Sequence, residues 1–120
     1  MDAGVLHELG KPPRCERFEE PVAGDGEVIV QVHAAALKPV DRQMASGAHY
    51  ASPRTLPVVC GTDGVGHLGD GRRVFFGGTR PPFGAMAQRT VVPCAMLPMR
   101  PMTPAHASIA SLSVVFPDDA

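Results

Sequence analysis

Cys60, His67 and either His33 or His49 are the side chains whose types could grip a zinc ion. No two of them fall at the short spacing that metal sites use, so they read as separate, unliganded residues. Gly64-Val65-Gly66-His67-Leu68-Gly69 is formally a GxGxxG sequence, the pattern that holds a dinucleotide pyrophosphate against a helix N-terminus. That chemistry needs a strand before the glycines and a helix after them. Here Asp70-Gly71-Arg72-Arg73 follows and turns into a second strand, which argues against a cofactor cradle. Lys38 is one of only two lysines, the other being Lys11, and stands directly before Pro39. Residue chemistry alone reaches a soluble β-rich domain and stops there.

The elements that must position these residues follow from pattern. Glu27 to Ala36 alternates strictly, with Val28, Val30, Val32 and Ala34 on one face and Ile29, Gln31, His33 and Ala35 on the other, so a strand is expected. Sharing a face with Gln31, His33 reads as a surface residue. Pro39 can open a helix, Leu37, Val40 and Met44 repeat at helical spacing and Gly47 can end it, which predicts a helix over 39–46. Gly69-Asp70-Gly71 predicts a tight primed hairpin between the His67-Leu68 run and Arg72 to Phe76. Gly61, Gly64 and Gly66 stand where a strand bends or another backbone comes close. Ala3 to His7, Cys15 to Glu20 (a charged edge) and Phe83 to Val92 complete the strands. The fold class is mainly β, a partly open barrel with one short helix.

Composition sets the outer limits. The chain has 120 residues, 44% hydrophobic, enough for one globular domain. A net charge of -1, with charges interspersed, leaves no electrostatic footprint for nucleic acid. No apolar run approaches membrane length, no targeting segment opens the chain, and three cysteines without CxxC spacing suit a reduced, cytoplasmic setting. Residues 94–120 change character. Pro98, Pro101 and Pro104 alternate with Met96, Met99 and Met102 at a period of three, as in an extended polyproline II connector. His106 to Phe116 is apolar enough for a strand or a short helix.

Five segments, taken in order, carry a resemblance. They are Val30 to Asp41, Ser46 to Tyr50, Leu56 to Gly66, Gly71 to Val74 and Phe83 to Pro93. Together they resemble the N-terminal, GroES-like catalytic domain of the medium-chain dehydrogenase/reductase superfamily, in its zinc-free quinone oxidoreductase branch, over residues 1–93. Zinc-dependent members carry cysteine where this chain has Lys38 and a His-Glu pair where it has Thr62-Asp63. An ammonium and a hydroxyl do not replace a thiolate and an imidazole on zinc, so the resemblance implies a reductase without the metal. It implies hydride transfer from NADPH to a quinone or an α,β-unsaturated carbonyl, with the cofactor carrying the chemistry. Lys38 is then expected at the catalytic cleft, stabilising charge on the substrate oxygen. Tyr50 and Thr62 are expected in the substrate and nicotinamide pocket. Asp41 and Asp63 are expected to hold loops, and Gly61, Gly64 and Gly66 to be structural.

The nucleotide-binding domain needs repeated βαβ units, and the 27 residues after Pro93 cannot form one. The expectation is a chain inactive alone, whether a fragment, a truncated product or a partner that borrows a cofactor domain from elsewhere, with a homodimer or the missing cofactor domain as its partner. The alternative is a non-enzymatic small-molecule binding or interaction module on the same barrel, since fold does not fix function.

Overall fold

The computed structural model describes residues 1–50, 52–97 and a short strand at 113–114. Strand β1 (Asp2–Leu6) lies between β2 (Arg14–Arg17) and β4 (Val58–Val59) in one antiparallel sheet. The second sheet has the order β6 (Arg73–Gly77), β5 (Asp63–His67), β3 (Glu27–Ala36) and β7 (Arg89–Pro93). Strand β8 (Ser113–Val114) pairs with the far end of β3 at Ala35 and Ala36. The helix α1 (Pro39–Ser46) and the 3-10 turn Cys94–Met96 are the remaining described elements. The architecture is mainly β with one short helix, as the patterning leads one to expect. No described helix is long and apolar enough to cross a membrane.

Strand β3 organises the molecule because it contributes to both apolar clusters. Val30 and Val32 pack with Ala35, Leu68, Phe76, Ala85 and Val92 in one buried cluster. Ile29, on the opposite face, packs against Met1, Ala3, Val5, Val59, Phe83, Ala87 and Val91 in a second. The simple alternation of β3 breaks once. Val32 pairs with Gly66 but Ala34 with Val65, so one residue is inserted at His33. The bulge shifts the period, and Ala35 rather than Ala34 is fully buried.

Three other expectations shift. The strand expected over Phe83 to Val92 is confined to Arg89–Pro93. Its first half crosses between the sheets instead: Val59 N donates to Pro82 O (2.9 Å), Met86 N to Cys60 O (2.8 Å) and Gly4 N to Met86 O (2.7 Å). A Cβ on Gly84 would stand 2.3 Å from Val59 O, so only glycine passes at that crossing. The hairpin forms at the expected place, but Gly71 alone takes a positive φ (89°), whereas a primed turn needs positive angles at its central residues. Strand β2 is Arg14–Arg17 and stops before Phe18, whose ring turns inward edge-on to Phe83 with centroids 6.0 Å apart. Glu20 lies beyond it and takes a two-pronged bond from Arg89 at 2.6 and 2.7 Å. The polyproline-like stretch and all of 106–116 except the short strand lie outside the described residues.

Candidate active site

Strand β3 hands the chain to α1 through Leu37 and Lys38. Pro39 occupies the first helical position, where its missing N–H costs nothing. Asp41 sits one turn in and its carboxylate accepts the Lys38 backbone N–H at 2.8 Å, which fixes the corner. Gly47, at φ 85°, closes the helix, and its N–H donates to Met44 O at 3.2 Å. The result aims the Lys38 side chain at the start of β5.

There it meets two partners. Lys38 Nζ donates to Thr62 Oγ1 at 3.0 Å and closely to Asp63 Oδ1. Asp41 Oδ2 is 3.6 Å from the same nitrogen, and Thr62 Oγ1 donates onward to Asp41 Oδ1 at 3.3 Å. The four side chains make a closed network in which one ammonium faces two carboxylates. Asp41 is nearly buried at 6% side-chain exposure, whereas Lys38 keeps 35%. An ammonium has three protons, and two are spent on Thr62 and Asp63. The third remains available beside the longer Asp41 contact.

Next to this network lies a cavity of about 580 Å³. Leu6, Met44, Val58, Val59 and Phe83 give it apolar walls, and Asp41, Thr62 and Gly61 bring the polar network to its edge. Cys60 also faces it. Burial, with the Asp41 carboxylate adding to the effect, pushes the Cys60 thiol up to about 11, so it is protonated at neutral pH. Gly61 takes φ 95°, and a Cβ there would stand 3.0 Å from the Met86 backbone nitrogen. At Gly64 and Gly66 an added Cβ would fall 2.3 Å from Ala34 O and 2.1 Å from Gln31 O. These are the close backbone approaches expected of the glycine run.

The structure thus brings together Lys38, Asp41, Thr62 and Asp63, with Gly61 alongside. Tyr50 stands elsewhere. It is 93% exposed, its ring lies on His49 with centroids 4.3 Å apart, and it does not line the cavity. Sequence reasoning passed over the cavity walls. Met44 was visible only as one member of a helical stripe, and nothing local marked Leu6, Val58 or Phe83 as sharing a cavity with Asp41 and Thr62.

The site residues do not fit zinc. Lys38 has no lone pair to give when protonated, and its single positive charge is already paired with the two carboxylates beside it. Among the described residues no group of three or more His, Cys, Asp or Glu is placed to hold a metal. Cys60 faces the cavity, while His33 and His67 bond to each other. Nor do the described residues form a dinucleotide cradle. Gly64 to Gly69 runs along β5 into its turn, and the only helix entry, at Leu37-Lys38-Pro39, has no glycine.

Residues 24–101, about two thirds of the chain, match the alcohol dehydrogenase GroES-like domain. The chain belongs to that family. An NAD-dependent alcohol dehydrogenase of Sulfolobus acidocaldarius is 36% identical over 72 residues, covering 57% of this chain and 21% of that protein. Among solved structures, this GroES-like domain is similar to the quinone oxidoreductase of Thermus thermophilus, described also in complex with NADPH. The TM-score is 0.75 at 32% identity, over 90% of this chain and 36% of that one. The quinone oxidoreductase of Coxiella burnetii superposes with a TM-score of 0.77 at 21% identity, covering 93% of this chain and 40% of that one, which shows the shared fold. The domain therefore spans about a fifth of the curated relative and little more than a third of these structures.

Proposed function

We propose that this GroES-like domain is the substrate-binding half of a zinc-free, NAD(P)H-dependent oxidoreductase acting on a quinone or an α,β-unsaturated carbonyl. The observation that carries the reading is the Lys38 ammonium, which lies beside Thr62 and Asp63 where zinc-dependent relatives place their metal ligands. A fixed ammonium in that place supplies an oriented, charged N–H donor without a metal. Its third N–H can donate to a substrate carbonyl oxygen and stabilise charge as the oxygen becomes an enolate or phenolate. Asp41, Thr62 and Asp63 act as positioning residues, holding the ammonium so that little reorganisation accompanies the reaction. The apolar cavity suits a planar, weakly polar substrate. Bound nicotinamide would supply the hydride, carried on a separate cofactor domain. Tyr50, exposed on this half, is assigned to the face that such a cofactor domain would cover. Three free cysteines support a reducing, cytoplasmic setting.

The test joins this chain to the nucleotide-binding domain of the Thermus quinone oxidoreductase and follows NADPH oxidation with a benzoquinone. Lys38→Met is expected to lower kcat/KM about 100-fold, the scale of losing one oriented charge-stabilising donor. An unchanged kcat/KM removes Lys38 from the mechanism. The 120-residue chain alone is expected not to bind NADPH. Stoichiometric binding by it would overturn the division of labour proposed here.

A second reading, a small-molecule binding module without catalysis, draws on one specific observation. Lys38 is held by two aspartates and does not line the cavity itself. Quinone binding to the isolated chain that is indifferent to NADPH after fusion would favour it.

A further inference from the structure

His33 and His67 do not belong to the Lys38 network, yet the fold places them together with unusual economy. His33 is the residue inserted at the β3 bulge, and His67 ends β5 opposite Gln31. Bulges re-aim one side chain, and here the inserted imidazole reaches diagonally across to the neighbouring strand. Its Nε2 lies 2.7 Å from His67 Nδ1, with ring centroids 4.8 Å apart and planes tilted by 58°. His33 is exposed and His67 half-exposed, so the pair lies at the surface of the sheet.

We propose that His33 and His67 form a two-imidazole chelate for a divalent late transition-metal ion such as zinc or copper. An imidazole nitrogen binds such an ion at about 2.0–2.1 Å, so two nitrogens sharing one ion stand roughly 3 Å apart. From the observed separation of 2.7 Å the pair must open by a few tenths of an ångström. Both rings must also swing so that their lone pairs converge on the ion instead of facing each other. Coordination requires both facing nitrogens to be bare. Neutral imidazoles meet this by carrying their protons on the far atoms, His33 Nδ1 and His67 Nε2, so the ion takes the place of the shared proton. No third His, Cys, Asp or Glu completes a metal-binding group among the described residues, so water fills the remaining positions. Borderline-soft nitrogen ligands select copper over zinc and both over magnesium or calcium. The ion would tie β3 to β5 at the one place where their ladder is interrupted. Arg73, opposite His67 on β6, is an exposed like charge that weakens the site without blocking it.

The test is calorimetric titration of the tag-free full chain with zinc chloride near neutral pH. One ion per chain is expected. His33→Gln and His67→Gln should each weaken binding at least tenfold while leaving the far-ultraviolet dichroism unchanged. His7→Gln and His49→Gln should leave the affinity unaltered, as should the Cys15→Ser, Cys94→Ser double variant, which removes the two exposed thiols. Metal binding by imidazole competes with protons, so the affinity should fall as the pH is lowered. Three results would each overturn the chelate: an affinity unchanged in either histidine variant, an affinity lost with the cysteines, or no binding to the parent chain below about 1 mM.

Discussion

Strand β5 is held at its two ends by opposite means. Along Gly64 and Gly66 its backbone presses on β3 so closely that no Cβ fits. The contact is backbone against backbone, buried and intolerant of added atoms. At Thr62 and Asp63 the same segment is held by a network of charges around Lys38 that stays partly open to water. The first region fixes where β5 lies, and the second fixes what is presented at its head. Mutations that change volume should therefore act on the first, and mutations that change charge on the second.

The largest expected effect lies in the packed region. Phe76 is fully buried, and its ring tip would stand 3.1 Å from a Cβ placed on Gly64. Phe76→Ala should cost about 3–5 kcal/mol of stability, read as a lowered urea midpoint. A loss below about 1 kcal/mol would mean that this cluster is not the core of the sheet. At the charged head, Lys38→Met should cost about 1–3 kcal/mol, because it leaves Asp41 and Asp63 without their cation. The figure sits below that of a fully buried pair because Lys38 keeps 35% of its side-chain surface in water. Adding Asp63→Asn should recover part of the loss, and a double-mutant cycle without coupling would dissolve the network as a unit. Thr90 offers a milder contrast within the packed region. It is fully buried and its Oγ1 has no hydrogen-bond partner among the described residues. Thr90→Val removes the orphan hydroxyl at nearly constant volume and should stabilise by about 1 kcal/mol.

The same division explains what could be read from sequence. Strand β3 and helix α1 appear at their expected bounds because each carries its own period, and Pro39 and Gly47 supply local stops that need no tertiary partner. The bulge at His33 was hidden because nothing in a strict alternation marks an inserted residue; it arises from pairing with a strand 34 positions away. Phe83 to Gln88 looked like strand because it is apolar, yet its backbone partners lie on β1 and beside β4, which no local pattern reveals. Resemblance pointed to Lys38, Thr62 and Asp63 as one place in the fold. The ion pairing inside that place depends on Asp41 and on rotamers that no motif records.

Cys60 sits at the seam between the two regions, and it gives the most diagnostic effect, one that pH alone turns on. Its thiol faces the cavity but is pushed up to about 11 by burial and by the Asp41 carboxylate. In the unfolded chain a thiol loses its proton near its ordinary value. Between these two values the folded state holds the proton and the unfolded state does not, so the unfolded state binds fewer protons and stability falls as pH rises. The urea midpoint should therefore drop from about pH 9 upward relative to that of Cys60→Ala, which lacks the thiol. The same protonation should make Cys60 slower to alkylate near pH 8 than the exposed Cys15 and Cys94. That matters for a cavity proposed to admit quinones and enones, which thiolates attack readily. A protonated Cys60 lets an electrophile occupy the cavity without being captured. Alkylation of Cys60 as fast as that of Cys15 would show the cavity wall to be wet, and would move the approach to β5 from the packed region to the open one.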